Sequence, residues 1–152
     1  MDFARPQRAP DYSDRFAGPN ASPEMSAREL MGRAFEATPG WFRALFALRQ
    51  MAARVAGLDT GPKGAVTEVE VLGRLPVVEE TADKFEFGMA DSHLDFTIAV
   101  EKGGAPDDPD VAITTDIWFN GWTGRAYLTL VLPFHKMILR RYVAALGPEG
   151  GR

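Results

Sequence analysis

Residues 84–146 constrain this chain more than any other stretch. Three segments, KFEFGM, LDFTIAVEK and DVAITTDIWFN, alternate between apolar and polar side chains, and a helical pattern follows them. Successive side chains of a strand point to opposite faces, so strict alternation specifies a sheet covered on one side only. One face collects Phe85, Phe87, Met89, Leu94, Phe96, Ile98, Val100, Val111, Ile113, Ile117 and Phe119. The other collects His93, Asp95, Thr97, Glu101, Thr114, Asp116, Trp118 and Asn120. Gly103-Gly104 and the Pro-Asp run after them supply the hairpin loop between two of these strands. The arrangement is an antiparallel sheet closed by a terminal helix, an α+β fold.

The segment after Asn120 reads as a fourth strand, Arg125–Val131, reached through a tight connection at Asn120–Gly124. A simple hairpin there sets Trp118 beside Tyr127 and Asp116 beside Thr129, with Ala126, Leu128 and Leu130 extending the apolar face. Pro133 suits the first turn of a helix. From it, Phe134, Ile138, Tyr142 and Ala145 form one stripe, broadened by Met137, Leu139, Val143 and Leu146. Lys136, Arg140 and Arg141 face water, and Gly147-Pro148 ends the helix.

The N-terminal half divides differently. Pro6, Pro10, Pro19 and Pro23 deny regular helix to residues 1–24, and residues 1–10 read as a mobile arm. Asp11–Ala17 supplies a short edge strand, opening a single domain over 11–147 that leaves 148–152 as a tail. Ser26 and Glu29 have capping-box spacing for a helix over Ala27–Glu36. Thr38-Pro39 then opens a second helix that runs to about Val55, with Gly57 as its stop. That helix carries Trp41, Leu45, Leu48, Ala52 and Val55 in one stripe, widened by Phe42 and Phe46, and only a narrow polar edge. So apolar a helix belongs between the sheet and its neighbour; the competing reading is an amphipathic helix lying on a membrane surface. The segment DTGPKG, Asp59–Gly64, lacks phosphate-loop spacing and reads as a turn.

Composition narrows the function classes. At 152 residues the chain suits one domain with a core, and 45% hydrophobic content supports it. A net charge of −4 argues against a dedicated nucleic-acid binder. Zero cysteines exclude disulfides and thiolate chemistry. No apolar run reaches the roughly 20 residues that span a bilayer. The first residues carry no apolar core of a secretory signal, so the expected location is cytoplasmic.

The element order of strand, two helices, several strands and long final helix resembles the helix-grip fold of the START-like (SRPBCC) superfamily. There a curved antiparallel sheet wraps a C-terminal helix, with two helices inserted after the first strand. The phrases ADSHLDFTIAV, NGWTGRAYLTLVLPFHKMILRRYV and ARELMGRAFEATPGWFRALFALRQ resemble the bacterial domain of unknown function 2867 family, most distinctively over Gly124–His135. The resemblance implies that fold and an internal cavity for an apolar or amphipathic small molecule. It implies no reaction and no cofactor.

Three functional readings follow. In the first, a small hydrophobic or amphipathic ligand sits between sheet and C-terminal helix, against Phe87, Phe96, Phe119, Leu128, Phe134, His135 and Ile138. His135, at the start of that helix, bonds either the ligand or a nearby backbone carbonyl. In the second, a cyclase, dehydratase or isomerase uses His93 with Asp95 or Asp116 for proton transfer. The competing account of those three is a solvated polar face, and no catalytic residue is assigned from sequence. In the third, Trp118, Arg125 and Tyr127 form a homodimer face, because large aromatics on a polar surface want cover from an arm, a partner or a ligand. The two histidines lack metal-site spacing, and Asp107, Asp108 and Asp110 lack that of a calcium loop, so no metal site is expected. Ser92 and His93 are strand neighbours that face opposite ways, poorly placed for nucleophilic catalysis.

Overall fold

A computed structural model describes residues 3–55, 76–90 and 93–148. The expected stop at Gly57, the connector Asp59–Gly64 and Ser92 lie outside the described residues. Among the described residues, five strands form one antiparallel sheet: β1 Tyr12–Pro19, β2 Val77–Glu80, β3 Lys84–Ala90, β4 Leu94–Ala105 and β5 Asp108–Phe119. Their order is β1-β5-β4-β3-β2, so the first strand pairs with the last. Three helices accompany them among the described residues: α1 Ala27–Glu36, α2 Gly40–Val55 and α3 Trp122–Leu146.

The alternation in the sequence survives as the two faces of the sheet. Register sets Phe85 against Val100 and Val100 against Ile113, and Met89 against Phe96 and Phe96 against Ile117. These side chains share the inner face. Two helices cover it, α1 over β3 and β4, α3 over β1 and β5. The expected hairpin loop shrinks to Pro106-Asp107, with Gly103 and Gly104 inside the ladder opposite Asp110 and Pro109. Gly104 has φ +80, and a Cβ there would meet the Asp108 carbonyl oxygen at 2.5 Å, so glycine is required.

The helix starts are set locally. Ser26 Oγ accepts from the Glu29 amide while Glu29 accepts from the Ser26 amide, completing the capping box. Thr38 does other work: its hydroxyl donates to the Phe35 carbonyl and lies 2.6 Å from the Tyr142 hydroxyl, tying the α1–α2 junction to α3. The expected burial of α2 is corrected at the side chains described. Phe42 packs on the core and Arg43 is exposed on the polar edge, but Trp41, Met51 and Val55 are exposed as well.

The largest correction concerns residues 122–132. No fourth strand exists there, and α3 is already helical at Trp122 and passes through Pro133 without ending. Its buried stripe, Gly124, Leu128, Ile138, Leu139, Tyr142, Val143 and Leu146, has helical spacing along all 25 residues. Gly124 permits the close docking of its first turn, since a Cβ would lie 2.1 Å from the His93 carbonyl oxygen. Consequently Trp118 and Tyr127 do not share a sheet face.

Candidate functional site

The inner face contains two apolar clusters. The larger joins α1, β3, β4, β5 and the C-terminal half of α3; the smaller joins Leu94, Ile117 and Leu128. A polar layer lies along β1 between them. Tyr12, Asp14, Phe16 and Gly18 point inward from β1, opposite Ile117, Thr115, Ile113 and Val111. Asp14 thus occupies the apolar phase of an edge strand. Helical spacing puts His135 on the sheet-facing stripe of α3, between Leu128 and Ile138.

Three side chains meet there. His135 Nε2 lies 3.1 Å from Asp14 Oδ2, and the Tyr12 hydroxyl donates to the same oxygen at 2.7 Å. Thr115, directly across from Asp14, turns a buried hydroxyl toward the carboxylate. Asp14 Oδ1 and Thr115 Oγ1 nevertheless lack a well-formed hydrogen bond among the described residues. Burial pushes the Asp14 carboxyl up, but the hydrogen bonds from His135 and Tyr12 more than offset it and hold it below the usual carboxylate range. Burial, followed by the hydrogen bond to Asp14, raises the Tyr12 phenol and keeps it a donor. The result is an ionised carboxylate that fixes the orientation of an imidazole, an arrangement able to hold a polar group or to move a proton.

The same seam opens farther along. A groove of about 400 Å³ runs between β1 and the end of α3, lined by Phe16, Gly18, Pro19, Val143 and Pro148, with Arg140 at its rim. The Arg140 guanidinium lies 5.8 Å from the centre of the Phe16 ring. Gly18 lets the helix approach this closely, for a Cβ would come within 2.9 Å of Val143 Cγ1.

Of the residues expected from sequence to bind ligand, five lie in the two apolar clusters between the sheet and α3. Phe87, Leu128 and Ile138 are buried in the apolar clusters, and Phe96 and Phe119 pack against them partly buried. Phe134 is exposed on α3. His135 alone enters the polar layer, and its partner is a side-chain carboxylate, where sequence offered a ligand or a backbone carbonyl.

The outer-face candidates do not converge. His93 Nδ1 lies 3.1 Å from Thr123 Oγ1, and Asp95 accepts from Asn120. Asp116 accepts from Ser13 at 2.6 Å and pairs with Arg5. Trp118 is 1% exposed: its indole donates to the Arg8 carbonyl and Arg5 lies over its ring. Phe3 occupies the space above Gly88. The N-terminal residues therefore cover the face on which a dimer contact was expected. Arg125 lies over Phe119 and Tyr127 packs beside Leu128, so these two form no common face with Trp118.

Sequence reasoning missed Tyr12, Asp14, Thr115 and Arg140 as site residues. One signal for them exists in the text YSDRFAG, where Asp14 interrupts the apolar phase of Tyr12, Phe16 and Gly18.

Comparison with known proteins adds one match, to a family described as "Protein of unknown function (DUF2867)", over residues 7–142. No curated protein matches the chain.

Proposed function

The chain belongs to the DUF2867 family, whose description names no activity, and from the geometry we propose that the protein binds a small amphipathic molecule at the seam between β1 and α3. The groove at Phe16, Pro19 and Val143 carries this reading. It is an open groove, and its apolar lining with one cation suits an apolar body bearing an anionic group. Arg140 receives that group, and the Asp14–His135 pair lies in the same seam, farther toward the start of α3. The topology supports the reading as a helix-grip arrangement: β1 pairs with the last strand, two helices follow β1, and the final helix lies on the inner face. Buried apolar clusters occupy the inner face among the described residues, which favours its open edge for the ligand.

Native mass spectrometry of the protein from its own host, followed by denaturing extraction, tests this. A co-purifying acidic amphiphile that is lost from Arg140→Ala supports the proposal. An amphiphile retained equally by both proteins contradicts the site.

A second reading, proton transfer on that ligand, is favoured by the Asp14-oriented imidazole. Recovery of the extracted compound unchanged after prolonged incubation with fresh protein would contradict it.

A further inference from the structure

The charges of this acidic chain are unevenly placed. Helices α2 and α3 carry seven of its 17 lysines and arginines: Arg43, Arg49 and Arg54 on α2, and Arg125, Lys136, Arg140 and Arg141 on α3. They carry none of its 21 acidic residues. The same helices expose large apolar side chains. Leu130, Phe134 and Met137 recur at intervals of four and three along α3, on the side turned from the sheet, and Leu130 is 73% exposed. Trp41 of α2 joins them, its ring 6.3 Å from that of Phe134 while still 48% exposed. Arg141 continues the line by one turn and ties α3 to the end of α1 through the Ala37 carbonyl. Helical spacing sets Lys136 and Arg140 to one side of the stripe.

From this juxtaposition we propose that the α2–α3 face docks on an anionic lipid surface, with Trp41, Leu130, Phe134 and Met137 entering the headgroup boundary. An apolar stripe on helices whose charged residues are all cations is what such a surface selects. Long basic side chains can lay their stems on the apolar boundary and keep their charges at the phosphates. The alternatives fit less well. Two copies meeting through this face would bring their cations together without a compensating acid from either helix. A nucleic acid would satisfy the charges but leave the aliphatic residues in water. No described helix is long and apolar enough to cross a membrane, so contact is with the surface.

Sedimentation with vesicles tests the proposal, using phosphatidylcholine alone and phosphatidylcholine with about one-third phosphatidylglycerol. The full chain is expected to bind the anionic vesicles at least about tenfold better, with a blue shift of tryptophan emission and release at high salt. The double variant Leu130→Gln/Met137→Gln, whose side chains are exposed and whose fold is checked by circular dichroism, should lose about tenfold in binding. Lys136→Glu should also weaken it. Equal binding to both vesicles, or none, overturns the proposal. So does anionic-vesicle binding unchanged by the double variant, and so does a wild-type dimer that the double variant converts to a monomer.

Discussion

His135 and Asp14, 121 residues apart, meet at 3.1 Å and join the final helix to the edge strand β1. The contact is polar, part-buried and placed between two apolar clusters, so its charge state bears on stability. Asp14 has a lower pKa folded than its unfolded value near 3.8. A group shifted this way stabilises the native state above the unfolded pKa, and that contribution disappears as pH falls through the folded value. Asp14→Asn is therefore expected to cost about 1–3 kcal/mol near neutral pH. The difference from wild type should shrink below about pH 4, which denaturant titrations at several pH values would show.

Close backbone approach gives a second prediction. Gly18→Ala would press a methyl group against Val143, and a cost of about 1–3 kcal/mol is expected from the overpacked seam. Gly32→Ala, in the middle of α1 with nothing within 4 Å, should instead stabilise by about 0.5–1 kcal/mol. Thermal melts of the two variants should move in opposite directions.

Much of the fold was legible in the residues, and the reasons are particular. Phe85 through Phe119 alternate so cleanly that inner and outer faces follow from period alone, and Ser26 with Glu29 marks the start of α1. The start of α3 was not legible. Gly121, at φ +148, opens it without a side-chain cap, and the run AYLTLVL fits a strand as readily as a helix. Pro133 then marks a beginning where the helix in fact continues and forgoes one backbone hydrogen bond. The candidate site was half legible. His135 stood out as one of two histidines, whereas Asp14 became a site residue only once β1 had paired with β5 and set it facing α3.

The outer face makes a third prediction. Arg5 reaches both Asp116 and Glu86, and Glu86 Oε1 is buried without a hydrogen bond among the described residues. Arg5→Ala should destabilise by about 1–3 kcal/mol, because it removes the cation from two buried carboxylates while Ser13 and Lys84 still hold them in part. Removal of residues 1–9 should do more, uncovering Trp118 and shifting its emission to the red.

The central claim, an amphiphile bound along the β1–α3 seam, is tested most directly by amide chemical-shift mapping during a titration with dodecanoate. Saturable shifts confined to Phe16, Gly18, Arg140, Val143 and Gly147, and abolished in Arg140→Ala, are the predicted result. Shifts that fall on Trp41 and Phe134, or none at all, would contradict it.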